Sequence, residues 1–199
     1  RGYSFKPYIL PYKASLKLIS DYNQLEKPFF IHDKYLGWTI AKNSFHPSNP
    51  EFSNSQGLRT SKIPKDFSIE KNKTRVTAFG DSYIFASDVA YEESWANYLQ
   101  ELVSNKTEIL NFGVGGYGID QTYLKWKLDA QKYSPDIILI GFQAENCRRN
   151  LYVIRKMYDR KSGLPFLKPR FILENNSLKL VNYPVEDFQK LPEIIKKFP

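Results

Sequence analysis

Cysteine occurs once, at Cys147, and histidine twice, at His32 and His46. A single cysteine excludes an internal disulfide, and it says little about the redox compartment. Neither histidine stands in ligand spacing with Cys147, so no metal and no other cofactor is expected. No window approaches the roughly 18 apolar residues of a membrane-crossing helix. The longest apolar run, residues 137–142, has the length of a strand. No secretory signal is visible, although a membrane anchor upstream of Arg1 is left open, and the compartment with it. Acid is scarce in one stretch only. Residues 148–170 carry eight basic side chains (Arg148, Arg149, Arg155, Lys156, Arg160, Lys161, Lys168, Arg170) against Asp159 alone. That net of +7 accounts for nearly all of the chain's +8.

The 199 residues, 16% aromatic and 25% charged, suit one α/β domain with a core plus an extra segment. No internal repeat is present. Residues 1–72 read as an irregular extension, in which Pro7, Pro11, Pro28, Pro47, Pro50 and Pro64 forbid long helices. It is expected to pack on the core through Phe29, Phe30, Tyr35, Leu36 and Trp38. The domain proper is expected over 73–199. A strand over 75–79 leads to a helix over 94–103, with Trp95, Tyr98, Leu99, Leu102 and Val103 at helical spacing. A second strand, 108–112, precedes a glycine cluster and a helix over 119–132 with Ile119, Tyr123, Trp126 and Ala130 on one face. A third strand spans 136–142, and its unbroken apolar character predicts burial on both faces. Strands alternating with helices imply right-handed crossovers and a three-layer α/β/α sandwich around a parallel sheet. Residues 148–199 are less regular, with a helix starting at Leu191 and running toward Phe198.

Ligands of such sheets bind at the carboxyl ends of the strands. Three special segments fall there: Gly80-Asp81-Ser82, then the glycine-rich turn 111–118, then Gly141-Phe-Gln-Ala-Glu-Asn146. The spacing of Gly113, Gly115 and Gly118 also fits a dinucleotide-binding turn. However, no acidic residue ends a strand about 20 residues on, and this is not the chain's first strand.

In order and placement the three segments resemble the blocks of the SGNH hydrolase (GDSL esterase/lipase) superfamily. Gly80-Asp81-Ser82 is similar to the first block, Gly116 to the second-block glycine, and Asn146 to the third-block asparagine. The segments Leu36-Gly-Trp38 and Asn54-Ser-Gln-Gly-Leu-Arg59 resemble a lead-in of many bacterial members. The likeness covers roughly residues 33–150. It implies a flavodoxin-like fold and a nucleophilic serine at Ser82. It also implies an oxyanion hole made by the Ser82 and Gly116 amides and the Asn146 carboxamide, with Gly80 and Asp81 ordering the turn. One such donor is worth on the order of 3–4 kcal/mol of barrier.

The sequence departs from the family at Ala86, where a glycine is usual, and at Glu145-Asn146-Cys147, where Gly-Asn-Asp is usual. The family's fourth block, Asp-x-x-His, is absent, because no histidine follows Ser82. Two explanations stand: the last strands and the catalytic loop lie beyond Pro199, or the protein lacks a normal triad, so that His32 or His46 serves by an unusual route or there is no catalysis. The leading function is hydrolysis of a carboxylic ester, small or glycan-borne, through an acyl-enzyme on Ser82. O-acetyl transfer on a polysaccharide is the rival of the same fold, and a carbohydrate-binding module without a base is the rival of another class. Arg148 and Arg149, next to the third block, are the expected contacts for an anionic substrate. Nucleic acid is not expected, since the aromatics near the basic stretch form no known binding module.

Overall fold

The computed structural model describes residues 12–159 and 161–197. Pro7, Pro11, Arg160 and Phe198, named above, lie outside the described residues. The chain opens on α1 (Tyr12–Asn23), followed by two short antiparallel hairpins. The first pairs β1 (Phe30–Asp33) with β2 (Gly37–Ile40), and the second pairs β3 (Phe52–Ser53) with β4 (Arg59–Thr60). Next come β5 (Thr74–Phe79), α2 (Ser82–Phe85), α3 (Trp95–Leu102), β6 (Thr107–Asn111), α4 (Ile119–Lys125), β7 (Ile137–Ile140) and α5 (Ala144–Arg149). The chain continues through α6 (Arg155–Tyr158), the hairpin of β8 (Arg170–Glu174) with β9 (Ser177–Val181), and α7 (Leu191–Lys196).

β5, β6 and β7 form one parallel sheet in the order β6-β5-β7. The chain is thus a mixed α/β protein with β5 central. Arg75 fastens the start of that strand although it is fully buried. Its Nε donates to Glu108 Oε1 at 2.6 Å, Nη1 to Tyr133 O at 2.5 Å and Nη2 to Ser68 O at 2.8 Å. A buried guanidinium is tolerable when its donors are met in this way.

Several expectations are corrected. The lead-in is not irregular throughout, because no proline falls between Tyr12 and Lys27 and α1 occupies that gap. Tyr98, Leu102 and Tyr123 are exposed; α3 turns Ala96 inward and α4 turns Gln121 and Leu124 inward. The third strand is not buried on both faces. β7 is an edge strand whose four side chains are 37–57% exposed. An apolar run reports a preference for burial, but a neighbour must exist to satisfy it, and no described residue pairs with the outer edge of β7.

The largest core cluster draws on all three parts of the chain. Ile19, Phe29, Leu36, Trp38 and Ile40 pack with Phe85, Val114, Tyr117 and Leu124, and with Ile154, Phe166, Leu167 and Leu191. Tyr35, by contrast, is exposed. Trp38 is fully buried, donates from Nε1 to Gly115 O at 3.0 Å, and stacks on Phe166. The Tyr117 hydroxyl in turn donates to Trp38 O at 2.6 Å. The lead-in therefore holds the glycine-rich turn directly.

After Lys125 the α4 helix loosens into a π-turn over Trp126–Ala130. Asp129 sits there between Lys125 Nζ at 2.7 Å and Lys132 Nζ at 3.5 Å. Burial alone pushes its carboxyl up, but the charges and hydrogen bonds of the two lysines outweigh this and hold it below the usual range. A lowered folded-state value stabilises the fold above the unfolded pKa of about 3.9, and the gain is lost as pH falls through the folded value. Asp129→Asn is expected to remove that part of the acid limb. Urea midpoints between about pH 2 and 6 would check it, and an unchanged profile would contradict it.

Candidate functional site

The β5 strand ends at Phe79, and the chain turns through Gly80 into the single turn of α2. The turn is tight: a side chain on Gly80 would meet Ile84 and, at 3.3 Å, the Gly141 carbonyl. Asp81 caps the helix, its Oδ1 accepting from Tyr83 N at 3.0 Å. Ala86 closes the turn in the left-handed region, with φ +61°. Alanine adopts that conformation at some strain. Ser82 is thereby the first helical residue. It is half-buried, and its hydroxyl has no hydrogen-bond partner among the described residues.

The glycine-rich turn lies against this helix. Val114 N donates to Gly80 O at 3.0 Å. Asn111 accepts from Gly113 N at 2.9 Å and donates to Ile84 O at 2.6 Å. Gly116 has φ +81°, a conformation that favours glycine. Its N–H is also without a partner among the described residues, and a side chain there would lie 3.3 Å from the Arg155 guanidinium.

The third segment closes the arrangement through Asp81. The Oδ2 of this buried carboxylate accepts from Gln143 Nε2 at 2.6 Å, Asn146 Nδ2 at 2.9 Å and Arg149 Nη1 at 3.0 Å. Asn146 Nδ2 and Arg149 Nη1 also donate to Tyr117 O, at 3.2 and 2.9 Å. The structure thus brings the neighbour of Ser82, the neighbour of Gly116 and the side chain of Asn146 into one hydrogen-bond network. Gly80 and Asp81 order the first turn, and Asp81 also ties it to the other two. Asn146, however, is buried with both amide hydrogens taken and its oxygen accepting from Gln143 N at 2.8 Å.

Arg149, expected to face an anionic substrate, instead turns inward. Asp81 and Glu145 neutralise it, the latter at 3.0 Å. Arg148 is exposed, and its guanidinium has no hydrogen bond among the described residues. Glu145 is held below the ordinary carboxylate range, first by the Tyr158 hydroxyl, which donates at 2.5 Å, and then by Arg149. Sequence reasoning missed Gln143, Arg155 and Tyr158. Gln143 was findable, since it sits inside the Gly141–Asn146 turn. Arg155 and Tyr158 reach the site from a short helix that no motif marks.

Neither histidine is bonded to Ser82. His32 packs against Phe166 and Phe188, and its buried Nε2 has no partner among the described residues. His46 accepts from Ser48 N at 3.2 Å and packs on Phe29 and Phe30. Among the described residues no group of three or more His, Cys, Asp or Glu side chains is placed to hold a metal ion. Nor is any described helix long and apolar enough to cross a membrane. No protein-family model matches the chain, and no curated protein matches its sequence.

Proposed function

We propose that this chain carries the nucleophile of an SGNH-type ester-processing enzyme, with Ser82 attacking the ester carbonyl. The observation that carries the reading is the unpartnered, half-exposed Ser82 hydroxyl at the carboxyl end of the central strand, one peptide from the network that ties in the glycine turn. Serine needs a base to become a good nucleophile, and oxyanion donors to stabilise the tetrahedral intermediate. On this reading the Ser82 and Gly116 amides are those donors. Asn146 adds a third by releasing Tyr117 O, the longer of its two donor contacts. The resemblance also implies a flavodoxin-like three-layer sandwich in which β7 is an inner strand, and the bare apolar faces of β7 support that reading.

A fluorophosphonate probe tests the assignment directly. It is expected to modify Ser82 ahead of the other serines, with the adduct located by peptide mass spectrometry and lost in Ser82→Ala. Modification spread evenly over surface serines would sink the proposal. With no histidine bonded to Ser82 among the described residues, hydrolysis of p-nitrophenyl acetate is expected to stay near the residual acceleration of oxyanion hole and binding, about 10³–10⁴ over water.

The lack of any histidine bonded to Ser82 among the described residues favours a second reading, a carbohydrate-binding domain without catalysis. Equal ester turnover by the wild-type chain and Ser82→Ala, together with glycan binding, would select it.

A further inference from the structure

We infer that Arg155 is an anion-binding residue beside the Gly116 amide, and that the ester processed here carries an oxyanionic group, a carboxylate or a phosphate, close to its scissile bond. The placement next to the reacting carbonyl rests on the Ser82 reading; the binding of an anion by Arg155 does not.

The geometry at Gly116 is the first support. Cζ, Nε and Nη2 of Arg155 all lie 3.3 Å from the position a Gly116 side chain would take. Near-equal distances to three atoms of a planar group place the guanidinium face over the Cβ direction of Gly116. The second support is its hydrogen-bond account. A guanidinium has five N–H donors. Among the described residues Arg155 makes one side-chain bond, from Nη2 to Asp159 Oδ2 at 3.3 Å, and its buried Nε has no partner. Buried donors are normally satisfied, so an orphaned one beside a candidate site calls for an explanation.

The neighbouring cations differ in this respect. Arg149 is matched by Asp81 and Glu145, and Lys168 by Asp120 and the Pro169 carbonyl. Among the described residues Asp81, Glu145 and Asp120 are thus already engaged, and Arg155 keeps the weakest compensation, a half-exposed Asp159. Burial and the nearby Arg149 charge both pull the proton affinity of Arg155 down, which an incoming anion would relieve. The recess itself is bounded by Gly116, Arg155, Tyr152, Tyr158 and Trp38. It has room for roughly one water molecule, which suits a single oxygen and excludes an alkyl chain. Tyr152, partly exposed at its mouth, leaves the rest of the anion outside. A carboxylate or phosphate can place one charged oxygen at the buried Nε while its other oxygens stay outside the recess.

The test uses the whole chain with acetate and inorganic phosphate as probes, at constant ionic strength set with chloride. Each is titrated while the arginine Nε–H resonances are followed by NMR. A saturable shift of the Arg155 resonance is expected, and the tighter of the two anions identifies the group the substrate carries. Arg155→Gln is expected to weaken binding at least about tenfold, and Arg155→Lys, which keeps the charge but not the fork, by a smaller factor. The Trp38 Nε1–H resonance, held by Gly115 O, reports whether each variant keeps the fold. No saturable shift with either anion, or equal affinity in a folded Arg155→Gln or Arg155→Lys, overturns the inference. Anion binding that survives while Ser82 proves unreactive would overturn the hydrolase reading instead and leave Arg155 in place.

Discussion

Replacing Asp81 by alanine is expected to lower the unfolding free energy by about 3–5 kcal/mol, the usual cost of removing one member of a buried ion pair. The side chain is almost wholly buried and accepts from four groups: Tyr83 N, Gln143 Nε2, Asn146 Nδ2 and Arg149 Nη1. Alanine removes all four bonds, and only Asn146 Nδ2 and Arg149 Nη1 keep a second acceptor, Tyr117 O. The Arg149 charge keeps only the half-exposed Glu145, and a buried charge with a lost partner is the dearest of these losses. Domains have about 5–15 kcal/mol in total, so a large share of the stability goes with one carboxylate. In a chain of this size the melting temperature should fall by about 6–20 °C. Asp81→Asn keeps the shape and one acceptor, and is expected to cost about 1–3 kcal/mol. Denaturant midpoints would measure both, and a loss below about 0.5 kcal/mol in Asp81→Ala would contradict the network's importance. The pair also separates two roles for this residue. If Asp81 orders the turn, Asp81→Asn retains selective modification of Ser82; if it acts as the base, modification drops with the charge. Arg149→Met should be less than additive with Asp81→Ala, because the two substitutions remove the same interaction.

The turn at Asp81 was legible in the sequence because its signals are local. A β-branched and aromatic run, a glycine and a helix-capping aspartate follow one another, and β5 with α2 obeys that order. The parallel sheet was legible for a similar reason, since strand and helix periods alternate over 73–147. What escaped was set by tertiary partners. Tyr98 and Leu102 have helical spacing with Leu99, but the face of α3 that packs on β6 is small, centred on Ala96. The apolar run of β7 carries no mark of whether a strand lies beside it. Arg149 looked like surface charge from its place in a basic run, and only the fold shows Asp81 and Glu145 meeting it. The hairpins of the lead-in were hidden by short strands of two to four residues, below the length at which alternation can be read. Arg155 was counted with the other basic residues. Its approach to Gly116 joins positions 39 residues apart in the chain, which no pattern within one segment can reveal.

Gly113→Ala is expected to damage the candidate site far more than Gly115→Ala, although the two glycines are two residues apart in the same turn. The difference lies in what an added methyl group meets. At Gly113 it meets backbone, with Phe85 Cα at 2.8 Å and Ile84 C at 2.9 Å, both in the helix that carries Ser82. Backbone of a capped, hydrogen-bonded helix cannot rotate away, so the turn itself must retreat. Retreat strains the bonds from Gly113 N to Asn111 and from Val114 N to Gly80 O, which hold the first two turns together. Overpacking of this kind costs about 1–3 kcal/mol, and more where the neighbours are rigid. At Gly115 the methyl group meets only the rim of the Phe30 ring, 3.1 Å away, and a side chain can yield by a few tenths of an ångström. Gly113→Ala should therefore lose stability and, by parting the Ser82 helix from the Gly116 amide, slow the modification of Ser82 by about tenfold or more, since displacement of about 1 Å can cost that much or more. Gly115→Ala should stay within about 1 kcal/mol of the wild type and keep most of its Ser82 reactivity. Thermal melts and fluorophosphonate labelling rates on the two variants would decide it. A Gly113→Ala protein as stable and as reactive as Gly115→Ala would mean that contact between the first and second turns does not set the position of the nucleophile.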